Sequence, residues 1–265
     1  MDLQEFANMH LPALRADEVR FNVQIAVLTS AVVSTPVGFA YWTLGTPGHC
    51  AIRSPGRAIL LGNLDKNECH KLAQVAVGDE NAGVIGADET AHWFVEQAKL
   101  AGMKFAGPIP QRIHILTEPP RRPTTLGSPR VATAADAALL FDWLTAFHGE
   151  AIPDDPPLTK EQADKSAESG RYLFWTINQR PVSVAAISLQ LVRTAAIAPV
   201  YTPPHLRGRG YAGAATAAVV DRLFAEGNTT VCLYTDLRNP MSNRCYAKIG
   251  FRPYCDSWHY LRDSS

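Results

Sequence analysis

A mixed α+β fold in two parts, the second built on a mostly antiparallel sheet flanked by helices, is what this sequence predicts. Three observations carry that expectation. Three β-rich runs follow one another between Arg171 and Tyr201 with only short turns between them. A Pro-rich stretch, residues 118–130, divides the chain. A glycine-rich segment then leads from the last of the three runs into an amphipathic helix.

The chain has 265 residues, more than one compact unit usually needs, and 46% of them are hydrophobic against 19% charged, so each part can bury a core. The stretch EPPRRPTTLGSPR from Glu118 to Arg130 offers few apolar groups and biases its backbone to extended conformations. It sets the expected organisation: an α+β domain over 1–118, a linker over 119–129 and a second domain over 130–265. In the first domain Arg57–Leu61 reads as a strand and Asp65–Val77 as a helix. Asp88–Ala101 reads as a second helix closed by Gly102, and Arg112–Thr117 as a strand.

The second domain opens with a short strand near Val131 and a helix from Ala134 to about His148. A Pro-rich loop runs through Pro157, and Thr159–Ser169 is helical. Arg171–Ile177, Val182–Val192 and Thr194–Tyr201 should form an antiparallel meander, turned first at Asn178-Gln179-Arg180-Pro181 and again near Arg193. A helix from Gly210 to Glu226 places Ala212, Ala215, Val219 and Leu223 on one face. Strand Thr230–Thr235 follows, then a short helix with Asn239 as cap and Pro240 in its first turn, then a last strand, Phe251–Leu261.

Acidic and basic residues balance at 25 each, which gives no electrostatic footprint for a nucleic acid. The five cysteines form no close C-x-x-C pair, so reduced thiols are expected and a cysteine zinc site is not. His70 and His92 lack partners at metal spacing, and no metal is expected. The first residues lack the basic start and apolar run of a signal peptide, and no apolar stretch is long enough to span a bilayer. A cytoplasmic protein without membrane contact is the expectation.

The stretch from Val200 to Gly213, VYTPPHLRGRGYAG, is the most informative in the chain. Its small residues leave backbone N–H groups uncovered at a helix start. With the helix dipole behind them and Arg207 and Arg209 beside them, those groups make a site for a polyanion such as a pyrophosphate. Gly208-x-Gly210-x-x-Gly213 also matches the dinucleotide fingerprint, with Asp236 downstream at a suitable distance. That reading fails on context, because a loop with two prolines separates the glycines from the strand and a run of adjacent strands precedes them.

The same segment resembles the acyl-CoA signature of the GNAT acetyltransferases, Q/R-x-x-G-x-G/A, filled by Arg207, Gly210 and Ala212. The stretch Asn239-Pro-Met-Ser-Asn-Arg-Cys-Tyr-Ala-Lys-Ile-Gly-Phe251 resembles the next motif of that family, an Asn seven positions before a Tyr. The resemblance implies a GNAT-like second domain that uses acetyl-CoA as co-substrate and acylates a primary amine of a small molecule or a peptide. By the same analogy the pantetheine arm lies along Val200, Tyr201 and Thr202. The backbone of Gly208, Arg209, Gly210, Tyr211, Ala212 and Gly213 takes the pyrophosphate, and Asn239 helps fix the arm. Tyr246 becomes the general acid for the leaving thiolate, its alternative being a packed core aromatic.

The sequence departs from the family where many members carry a glutamate on the third antiparallel strand, since Ala195–Pro199 hold no carboxylate. A water chain, or the cluster His148, Glu150, Asp154 and Asp155, would then serve the attacking amine. The same gap suggests the competing function, a coenzyme A-binding regulatory module without turnover. The first domain lacks the coenzyme motif and is expected to shape the acceptor cleft or to supply an oligomer contact, with a homodimer as the candidate assembly. A diverged half of the same fold is its alternative.

Overall fold

The computed structural model describes residues 1–76, 83–153 and 157–263. Its chain divides into two compact units that are not continuous in sequence. The first comprises Met1–Ile113, Tyr234–Asn239 and Pro253–Ser265, and the second His114–Leu233 and Pro240–Arg252.

The first unit begins with α1 (Leu3–Leu14), whose start is closed by a capping box between Asp2 and Glu5, and α2 (Asn22–Ser34). Strands β1 (Ala40–Thr43), β2 (Cys50–Arg53) and β3 (Ile59–Leu61) pair antiparallel in that order. Helix α3 (Lys66–Ala76) crosses over to β4 (Gly83–Ala87), which lies parallel to β3; α4 (Thr90–Leu100) and β5 (Ile109–Leu116) follow. Ile59, Leu61, Leu72, Val84 and Phe94 close the core. A fully buried side chain of this kind contributes about 1.5–3 kcal/mol.

The second unit contains β6 (Ser128–Val131), α5 (Ala137–Ala151), α6 (Lys160–Glu168) and the meander β7 (Tyr172–Ile177), β8 (Arg180–Gln190) and β9 (Thr194–Tyr201). Asn178 and Gln179, both at positive φ, make the two-residue turn between β7 and β8. Helix α7 (Tyr211–Ala225) crosses over to β10 (Thr230–Asp236), parallel to β9, and α8 (Pro240–Ile249) precedes β11 (Arg252–Leu261). Adjacent strand residues point to opposite faces, so Leu173 joins the cluster of Val219, Val220 and Leu223 on α7 while Phe174 joins Leu140 and Leu144 on α5. With both faces covered, β8 is buried without interruption from Val182 to Ile187.

The mixed α+β class and its mostly antiparallel pairing are as the sequence predicts. What the sequence does not show is a repeat in element order. Each half runs α, α, β, β, β, α, β, α, β, the second with β6 added in front, and in each the crossover helix joins the parallel pair, β3 to β4 and β9 to β10. The last strands are exchanged. Residues Ser257–Leu261 of β11 pair antiparallel with β4 in the first unit, whereas His114–Leu116 at the end of β5 belong to the second, where Leu116 enters the core.

Residues 1–56, unassigned by pattern, hold α1, α2, β1 and β2. Helix α2 is apolar on nearly every side and rich in β-branched residues, and α1 carries Pro12, so neither gives a clean helical stripe. Strand β4 is short and holds Gly83 and Gly86, which weakens its signal. The expected helix end at Val77 lies outside the described residues.

Candidate coenzyme site

Strand β9, the loop after it and the start of α7 form one continuous piece of backbone. The parallel register of β9 with β10 covers Thr194–Ala196 against Thr230–Cys232 and stops there, although β9 runs on to Tyr201. Ile197, Val200 and Tyr201 pair with β8 on the other side. Among the described pairs, the β10-facing edge of Ile197–Tyr201 therefore has no ladder partner, and such an edge can accept an extended ligand as an added strand.

The loop is held from beneath. Ser183, fully buried on β8, donates to the Tyr201 carbonyl at 3.0 Å and shares a 2.8 Å hydrogen bond with the Thr202 hydroxyl. Arg207 donates through Nε to the Thr202 carbonyl at 2.8 Å and forks onto both Glu150 oxygens at 2.9 and 2.7 Å, with its guanidinium over the Tyr201 ring. Its charge is thus engaged in closing the loop. Sequence reasoning gave Arg207 a place beside the anion and left Ser183 out, because a lone serine in a strand carries no pattern.

After a short 3₁₀ turn, Pro204–Leu206, the chain enters α7 through Gly210 at φ +82°, with no side-chain cap. A side-chain-bearing residue is strained in that left-handed conformation, and glycine adopts it freely. The first intrahelical bond is Ala214 N–H to the Gly210 carbonyl, which leaves the N–H groups of Tyr211, Ala212 and Gly213 without helical partners. Gly208 and Arg209 are exposed beside them.

Tyr246 lies on α8, half-buried, packed edge-on against Phe251. Burial, with a smaller contribution from Cys245, pushes its phenol above the ordinary tyrosine range. Its hydroxyl has no hydrogen-bond partner among the described residues. Asn239 stands in the turn before α8, its N–H bonded to the Asp236 carbonyl at 2.9 Å, and it falls in the first compact unit. The Asp236 carboxyl is held low by Arg238, so it is already engaged and gives the dinucleotide reading no support. Of the cluster expected near the end of α5, Glu150 is the partner of Arg207, and Asp154 and Asp155 lie outside the described residues.

The crossover helix of the first unit contrasts with α7. At the start of α3 the Glu68 N–H donates to Asp65 at 2.8 Å, the Asp65 N–H donates to Glu68 at 2.9 Å, and His49 meets the same Glu68 oxygen at 2.7 Å. Two carboxylates occupy a position that α7 leaves open. A cavity of about 490 Å³ in the first unit, walled by Asp88, Arg112, Tyr254, Asp256 and Trp258, shares no residue with the Val200–Gly213 segment. Among the described residues no three His, Cys, Asp or Glu side chains are grouped to hold a metal ion, and no helix is long and apolar enough to cross a membrane.

An uncapped helix start behind an Arg-x-x-Gly-x-Ala loop, set between the strands of a parallel pair, is an anion-binding arrangement. Residues 137–251 match the model of the acetyltransferase (GNAT) family. Solved structures extend the likeness in fold to the whole chain. A Drosophila protein superposes with a TM-score of 0.66 at 12% identity, over 98% of this chain and 97% of that one. A GCN5-related N-acetyltransferase from Kribbella flavida gives 0.58 at 18% identity, over 91% and 96%. A tandem GNAT protein from the clavulanic acid biosynthesis pathway gives 0.56 at 9% identity, over 95% and 94%. No curated protein matches the sequence.

Proposed function

We propose that the protein is an N-acetyltransferase that moves an acetyl group from acetyl-CoA directly to a primary amine of a small molecule or peptide. The observation that carries this reading is the open start of α7 behind Gly210, in the segment that matches the GNAT family model. A pyrophosphate fits it by accepting from the N–H groups of Tyr211, Ala212 and Gly213, with the helix dipole and Arg209 favouring its charge. The edge of Val200 and Tyr201 that has no ladder partner suits the amide-bearing arm of the coenzyme.

A backbone N–H near Val200 would polarise the thioester carbonyl as the amine attacks, a contribution on the order of 3 kcal/mol for one preorganised donor. Tyr246 keeps its proton over the working pH range and has no internal acceptor for it, which suits a group that protonates the departing thiolate. Ala195–Pro199 offer no base, and Glu150 is already paired with Arg207. The amine proton therefore leaves through water in this reading. We also infer that the Pro-rich segment 119–129 is the boundary in sequence between the two repeated halves.

Thiol release from acetyl-CoA with a panel of amines and peptides tests the proposal. Amine-dependent release is expected. Tight coenzyme binding without release under any acceptor would favour the regulatory-module reading instead.

A further inference from the structure

The Pro-rich segment does more than join two halves. Within the second unit, residues 121–127 run from the end of α8 across the first turn of α7 to β7. The Arg121 N–H donates to the Ile249 carbonyl at 2.9 Å, and Arg122 pairs with Asp221 on α7 at 2.8 Å. At the other end Trp175 donates to the Leu126 carbonyl at 2.9 Å. Gly127, at φ +123°, has no room for a side chain, since a Cβ there would stand 2.5 Å from the Thr176 carbonyl. Pinned at both ends, the middle lies against the helix start. A Cβ at Gly213 would be 3.2 Å from Pro123, and one at Gly210 would be 3.7 Å from Pro123 and 3.9 Å from Thr125.

Charge gives this contact a use. The loop's own Arg207 is neutralised by Glu150, so Arg209 and the helix dipole are what the loop brings to a ligand bearing several phosphate charges. Two further arginines immediately precede Pro123. Arg121 is exposed, with no ion-pair partner among the described residues, and Arg122 is three-quarters exposed on its pair with Asp221. Prolines 119, 120 and 123 restrict the backbone, so little ordering entropy opposes holding both arginines in place.

We propose that residues 121–126 form a fixed side wall of the coenzyme site, and that Arg121 and Arg122 supply cationic charge to the coenzyme's phosphates. The proposal rests on the reading of α7 as the pyrophosphate site. Its test is the double variant R121A/R122A of the full chain, titrated with coenzyme A at low and at high salt, with D221N beside it. Both arginines are at the surface, and thermal melts confirm that each variant is folded. The double variant should bind coenzyme A about tenfold more weakly at low salt, should show a shallower salt dependence than the parent, and should converge with it at about 1 M salt, where the Debye length is about 3 Å. D221N should bind within about twofold of the parent, because it removes the pair and keeps the cations.

An unchanged affinity and salt slope in the folded double variant would overturn the proposal. So would tighter binding, which would make the segment a cover over the site, and so would a D221N variant that reproduces the whole loss. Failure of the parent chain to bind coenzyme A is a different result, since it removes the reading of α7 itself.

Discussion

Replacing Gly210 by aspartate separates the anion site from the fold that carries it. The site can hold the new side chain, because its nearest neighbours would be Pro123 at 3.7 Å and Thr125 at 3.9 Å, ordinary contact distances. The backbone cost comes from φ +82°, about 1–2 kcal/mol for most residues and less for Asp, which tolerates the left-handed region. The electrostatic cost to a ligand is larger. The carboxylate would stand at the positive end of α7, where it satisfies the dipole itself and repels a phosphate. Two unit charges about 4 Å apart interact by about 4 kcal/mol at an effective dielectric of 20. Gly210 is exposed, so half of that is a fair expectation, and half is still a loss of about 30-fold for each phosphate charge that meets it. Calorimetric titration with coenzyme A should therefore show at least a hundredfold weaker binding for Gly210→Asp. Gly210→Ala, which changes only the backbone preference, should stay within about tenfold. A folded aspartate variant that binds within threefold of the parent refutes the placement of the pyrophosphate on α7.

Removing the hydroxyl in Tyr246→Phe should spare coenzyme affinity and slow the single-turnover chemical step by roughly 10²- to 10⁴-fold. Because burial raises the phenol pKa, its acid form is lost only above the ordinary tyrosine range, so the parent rate should show no alkaline fall from this group below about pH 10; a Phe variant with an unchanged chemical rate leaves Tyr246 as packing. Asp136, held at about 2 chiefly by its hydrogen bonds with Arg130, should contribute about 1–2 kcal/mol above the ordinary carboxylate pKa. In Asp136→Asn denaturant melts should show that loss at pH 7, and the gap to the parent should close as pH falls from about 4 to 2. The fragment 128–265 lacks Leu116 and the strap over α7, and its last strand pairs with β4, so its circular dichroism should show no cooperative melt until residues 1–127 are supplied in trans.

The second half was legible because its signals are local. Turn residues, a proline at a helix start and glycines at helix ends announce themselves within a few positions, and the coenzyme motif lies in one continuous loop. The support around that loop was not legible. Ser183 reaches Thr202 across a strand pair, and Glu150 reaches Arg207 over 57 positions, so neither leaves a trace at short spacing. In sequence the Pro-rich segment marks only a boundary; its signal, two adjacent arginines followed by a proline, becomes informative once Pro123 is seen against Gly213. The strand exchange was hidden for a related reason. Register belongs to pairs of strands, and nothing in β11 itself says that its partner is β4.

The two halves share an order of elements and a crossover helix between parallel strands, yet they present opposite helix starts. At α7 the chain arrives through glycines, with no side chain to satisfy the first N–H groups, which leaves an electrostatic need that a ligand can meet. At α3 Asp65 and Glu68 meet the same need internally, and His49 binds the second carboxylate from the β1–β2 loop. A capping interaction of this kind is worth about 1 kcal/mol to the helix and removes the positive end from any anion. One topology thus supports either stability or binding at this position, and the choice is made by a few residues before the helix. That argues for one coenzyme per chain, bound at α7.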